Sequence, residues 1–145
     1  MKTKLILFSL IASLSFAHEG VELGPNKGRI LEFSKNETMH GEVTVKGGKF
    51  HIALLDKDMK AVAMAEQTLT ATTGERDKPV KLVVEKDAKG FVVPVIKAGE
   101  WLILQYKDTP KAKVVTARLE YNTSECEACK KAEWLCECKP DAEKK

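Results

Sequence analysis

Short runs of alternating apolar and polar residues, cut by turn residues at regular intervals, constrain this chain more than any other feature. The clearest pair is Glu42 to Val45 and Phe50 to Leu55, which flank Gly47-Gly48. Period-two alternation on both sides of a two-residue glycine loop predicts an antiparallel hairpin. A tight turn there sets Val45 opposite Phe50, Thr44 opposite His51 and Val43 opposite Ile52. Val43, Val45, Phe50, Ile52 and Leu54 then share an apolar face for a core, while His40, Glu42, Thr44 and His51 take the other, outer face.

Further strand candidates are Arg29 to Phe33, Ala61 to Thr72, Val80 to Val84, Phe91 to Ile96, Trp101 to Tyr106 and Val114 to Tyr121. Pro94 marks the Phe91 strand as an edge or bulged strand. No convincing helix precedes residue 124. Short strands at this spacing predict an all-β sandwich of about seven or eight strands. The stretch Lys97-Ala-Gly-Glu-Trp-Leu-Ile-Leu resembles the Gly-x-aromatic-x-apolar strand start of many exported immunoglobulin-like domains. That resemblance implies an immunoglobulin-like sandwich and concerns the fold only.

The first 17 residues, MKTKLILFSLIASLSFA, have the form of an export leader. Lys2 and Lys4 make a positive start, Leu5 to Leu14 an apolar run, and Ser15-Phe16-Ala17 a small-x-small cleavage site. The run is well short of the roughly 20 residues a bilayer span needs. Cleavage leaves 128 residues beginning at His18, in a periplasm or outside the cell, where thiols meet oxidants. The organisation expected is a cleaved leader (1–17), an arm (18–28), a sandwich (29–121), a cysteine-rich segment (122–138) with a short helix or loop, and a disordered tail (139–145). The formal charge of +3 falls to +1 once Lys2 and Lys4 are removed, and aromatics are 6% of the chain. Neither a basic field nor a stacking surface points to nucleic acid.

Three histidines survive cleavage: His18, His40 and His51. A terminal histidine offers amine and imidazole to one metal, and a further imidazole completes a tetragonal nitrogen site for Cu(II). This is similar to small periplasmic copper-carrier β-sandwiches, and in that one feature to copper polysaccharide monooxygenases. No Asp-x-His stands near the last strand, where the copper carriers place further ligands. The hairpin register puts His40 and His51 four rungs apart, roughly 13 Å along the strand. Met39, Met59 and Met64 offer soft thioether ligands for Cu(I), or core filling. The stretch Gly24-Pro25-Asn26-Lys27-Gly28-Arg29 resembles an early turn of the small β-domains that accompany heavy-metal efflux adaptors. It implies a metal-efflux or envelope protein as partner.

All four cysteines lie near the C-terminus as Cys126-x2-Cys129-x6-Cys136-x-Cys138. Ser124 with Glu127 forms a capping-box pair and predicts the start of a short helix. In a continuous helix Cys126 and Cys136 stand about 15 Å apart along the axis, too far for one metal or a disulfide. Either the chain doubles back after Lys131 or the cysteines pair locally. A Cys136–Cys138 ring is strained, so crossed disulfides, Cys126–Cys138 with Cys129–Cys136, are the pairing expected in an oxidising compartment. The alternative is four thiolates around Zn(II) or Cu(I).

No nucleophile elbow, phosphate loop, zinc-protease helix or dinucleotide fingerprint is present, and the paired acids Glu19/Glu22 and Asp56/Asp58 fall in a loop and a turn. The expectation is therefore a non-enzymatic exported protein binding copper or zinc through His18, His40, His51 or the four cysteines. The competing expectation is a disulfide-stapled envelope-assembly module without metal.

Overall fold

The computed structural model describes residues 21–138, so the leader, His18 and the 139–145 tail lie outside the described residues. Nine strands stand among those residues: β1 (Arg29–Glu32), β2 (Met39–Lys46), β3 (Lys49–Asp56), β4 (Thr68–Glu75), β5 (Lys78–Leu82), β6 (Glu85–Lys86), β7 (Gly90–Pro94), β8 (Trp101–Lys107) and β9 (Val115–Glu120). They form two antiparallel sheets, ordered β1-β2-β3-β7-β6 and β5-β4-β8-β9. No helix among the described residues is long and apolar enough to cross a membrane.

The β2–β3 hairpin has the register expected from its turn. Val45 pairs with Phe50, Thr44 with His51 and Val43 with Ile52. Gly47 and Gly48 both take positive φ, 58° and 71°, a turn whose twist matches the flanking strands. Val43, Phe50, Ile52 and Leu54 are buried and join Leu102, Leu104, Ala71 and Leu119 of the second sheet in one core. Val45 lies on the same side yet is 40% exposed, because it sits at the sheet's end, beyond the core. Phe33 stacks on Tyr106 with centroids 4.7 Å apart.

Three elements differ from the sequence expectation. The fourth strand begins at Thr68, not Ala61. Residues 61–67 form a crossing segment held by the buried Gln67, whose Oε1 accepts the Ala65 N–H (2.6 Å). The strand expected over Val80 to Val84 is present as β5 but runs two residues earlier, Lys78–Leu82, and forms an exposed edge. Val80 and Val83 are 55% and 72% exposed, and Lys78, Pro79 and Lys81 line the edge, residue types that discourage pairing with another chain. Beyond it the two-residue β6 pairs with β7 only as far as Val92, so Pro94 closes β7 where no neighbour extends on that side. At the C-terminus the helix expected from Ser124 is replaced by a tight reversal and one 3-10 turn, Glu133–Leu135.

Candidate metal centre

The chain leaves β9 through Tyr121 and turns at Asn122, whose Oδ1 accepts the Ser124 N–H (3.0 Å). Local capping loses here to a reversal. The Cys126 N–H donates to the Lys131 carbonyl (2.8 Å) and the Lys130 N–H to the Cys126 carbonyl (2.9 Å). Lys130 adopts φ 60° at the corner, and Glu125 bridges Ala132 across it. The 3-10 turn then hangs from the segment before it, with Glu133 N–H on the Ser124 carbonyl and Trp134 N–H on the Asn122 carbonyl. This doubling back carries Cys136 and Cys138 against Cys126 and Cys129.

The four sulfurs all lie within 4.8 Å of one another. Cys136 Sγ stands 3.3 Å from Cys126 Sγ and 3.7 Å from Cys129 Sγ, and Cys126 Sγ stands 3.9 Å from Cys138 Sγ. No disulfide joins them. Four thiolates at about 2.3 Å around a tetrahedral ion stand about 3.8 Å apart, close to these separations. Cys126 and Cys136 are buried, while Cys129 and Cys138 are half-buried and give access from solvent.

The thiols do not ionise independently. The Cys129 N–H, then the Cys136 side chain and the Ala128 N–H, pull the Cys126 thiol down to about 7. The Cys138 thiol is pushed up to about 12, first by its hydrogen bond to Cys136 and then by that to Cys129. Cys136 is also raised: the Cys138 N–H pulls it down, but the Cys126 thiol and burial outweigh that pull. The Cys126 thiolate forms easily, and Cys136 and Cys138 resist joining it. A bound cation removes that resistance, since metal ligation deprotonates cysteine.

The segment is moored to the sandwich by Trp134, 5% exposed. Its ring meets Tyr121 edge-on at 5.5 Å and Phe50 at 6.4 Å. Its carbonyl accepts a long bond from Arg29 Nη1 (3.4 Å), and the Val21 N–H donates to the Cys136 carbonyl (3.0 Å). The sequence reading passed over Trp134. A single large aromatic among Lys, Glu and Cys was the available signal that this stretch packs rather than trails.

The two described histidines, His40 and His51, do not converge. His40 pairs with Leu55 and His51 with Thr44, four rungs apart as the register required. Among the described residues the cysteines are the one group of three or more candidate ligands gathered within reach of a single ion. The outer face carrying His40 and Glu42 is also covered, contrary to the simple alternation reading. His40 is 5% exposed, with Nδ1 against the Glu32 carboxylate across the β1–β2 pair. Glu42 is 1% exposed because the 24–28 arm folds over it. Its Oε1 accepts the Asn26 and Gly28 N–H groups (2.7 and 3.0 Å), and its Oε2 accepts Asn26 Nδ2 (2.8 Å). His51 stays half-buried in an open groove of about 930 Å³ between that arm and the Asp87–Lys89 turn. Met39 and Met64 pack against the core, which accounts for them as filling.

Compared with known proteins, the chain matches no family model, no curated protein and no solved structure.

Proposed function

We propose that this chain is an exported, non-enzymatic β-sandwich protein that binds one transition-metal ion through Cys126, Cys129, Cys136 and Cys138 and serves metal handling in the cell envelope. The observation that carries the reading is the convergence of four sulfurs within 4.8 Å at tetrahedral spacing. An all-sulfur tetrahedral set suits Zn(II), with Cu(I) the other soft ion that thiolates select. Export and the envelope role rest on the leader-like first 17 residues, and immunoglobulin-like kinship rests on the Lys97 to Leu104 stretch. A metal-efflux or envelope protein is the partner this reading implies, and the half-buried pair Cys129 and Cys138 is the side such a partner would approach.

Native mass spectrometry of protein recovered from its export compartment tests the reading. One zinc or copper per chain, with the thiol hydrogens replaced by metal and lost in Cys126→Ser, supports it. A metal-free chain four hydrogens light supports two disulfides instead, the crossed pairing among the arrangements it allows. Sulfur contacts of 3.9 Å (Cys126–Cys138) and 3.7 Å (Cys129–Cys136) put that pairing within reach of small side-chain movements. The same spectrum shows whether the chain starts at His18 and whether a second metal accompanies that terminus.

A further inference from the structure

We infer that the metal acts as a latch: occupancy of the four cysteines holds Trp134 over one end of the sandwich, and loss of the ion uncovers an apolar aromatic surface there. The inference rests on the metal-binding reading above and concerns what the metal controls. Trp134 sits in the loop that ligation by Cys129 and Cys136 would close, inside a 3-10 turn of three residues. A turn that short does not sustain itself and takes its order from what holds its ends. One end is tied by the Glu133 and Trp134 amides to Ser124 and Asn122; the other is tied by Cys136, through its sulfur and its bond from Val21, with only the long bond from Arg29 Nη1 to the Trp134 carbonyl beside it. Beneath the ring lie Phe50, fully buried, and the half-buried Tyr121. The strands below do not depend on the latch, since β2, β3, β8 and β9 pair along their whole lengths without residues 122–138.

The coupling has a definite size. An ion that binds only the latched form biases it by the factor 1 + [L]/Kd, about 100-fold at a free concentration one hundred times Kd. An unlatched end exposes three aromatic rings together, surface that soluble proteins rarely leave uncovered. Because the Val21 bond belongs to the same latch, the beginning of the arm loosens with it.

The test uses the mature full-length chain carrying Trp101→Phe. That replaces a 46% exposed ring and leaves Trp134 as the one tryptophan. Protein reduced under anaerobic conditions is compared with and without one equivalent of Zn(II), with uptake measured by mass spectrometry. The expected result on zinc removal is a red shift of Trp134 emission, a several-fold rise in its quenching by acrylamide, and lost exchange protection at the Val21, Glu133 and Trp134 amides. The Val43 and Ile52 amides keep their protection, and zinc restores the rest. Stoichiometric uptake with unchanged Trp134 emission and protection overturns the latch and leaves the metal reading standing. Loss of protection at Val43 and Ile52 as well shows that the metal holds the whole fold, which also overturns a local latch. Failure of the four free thiols to take up zinc, and Cu(I) supplied in its place, overturns the metal reading and the latch together.

Discussion

Replacing Glu42 tests whether the arm over the outer sheet is held by one buried carboxylate. Glu42 accepts three hydrogen bonds from Asn26 and Gly28 while 1% exposed. Asn26 lies at the surface and can turn its donors to water, so its two bonds count for less. The Gly28 N–H is buried and cannot. In Glu42→Ala that amide is left unsatisfied at about 1–3 kcal/mol, and the charge-assisted bonds to Asn26 are lost besides, for a total of about 3–4 kcal/mol. Glu42→Gln keeps an acceptor for the backbone amides but loses the charge and the bond from Asn26 Nδ2, which would meet a second donor, about 1–1.5 kcal/mol. For a domain of this size each kcal/mol lowers Tm by about 4 °C, so the two variants should melt about 12–16 °C and about 5 °C below the parent. Urea unfolding measured alongside should show lower midpoints with unchanged slopes. A Glu42→Ala protein within about 0.5 kcal/mol of the parent refutes the clasp, because no buried amide orphaned in that way would cost so little.

Three other outcomes follow from particular contacts. Tyr106 is held protonated well above the ordinary phenol range, first by burial and then by Asp108, to which its hydroxyl donates at 3.0 Å. Its contribution is complete below about pH 10 and is lost as the unfolded phenol ionises above that, so Tyr106→Phe should cost about 1 kcal/mol at neutral pH and flatten the alkaline loss of stability measured by urea titration. The Lys60 N–H, then the Asp58 N–H, hold the Asp56 carboxyl below its usual range, so this turn keeps its order until the pH falls through that depressed value. The Asp58 and Lys60 amide shifts should titrate together in NMR spectra at that point, below about pH 3.9. A methyl at Gly90 would stand 2.0 Å from the Ile52 carbonyl oxygen, so Gly90→Ala should cost about 4 kcal/mol or more and show a sharp fall in urea midpoint.

The hairpin was legible because two independent signals agreed: Gly47-Gly48 allowed one tight turn, and the period-two pattern allowed one register across it. Facing is not covering, however. Alternation placed His40 and Glu42 away from the core and could not say that Glu32 and the 24–28 arm would bury them, since that depends on contacts made outside the strand. The Ala61 to Thr72 stretch has strand-like composition throughout, and only the burial of Gln67 decides that its first half crosses between sheets. At the C-terminus the Ser124–Glu127 pair signals a helix that does not form, because the Cys126 and Lys130 amides bond within the reversal instead. The cysteine spacing left a reversal after Lys131 or local pairing open, and the packing of Trp134 on Phe50 depends on a hairpin far away in the sequence.

The bond between Val21 and Cys136 brings the two ends of the described chain to one place. The described part of the polypeptide is close to a ring, opened beside its own cysteines. A circularly permuted version, joined across that gap and cut at the exposed Gly47-Gly48 tip, would keep each strand's partners while changing which end is made first. The same closeness governs how the protein can be purified for study. An oligohistidine tag joined directly at Val21 or Cys138 would place a row of imidazoles next to the thiols and compete for the ion being counted. Metal stoichiometry on this chain is therefore best measured without a tag.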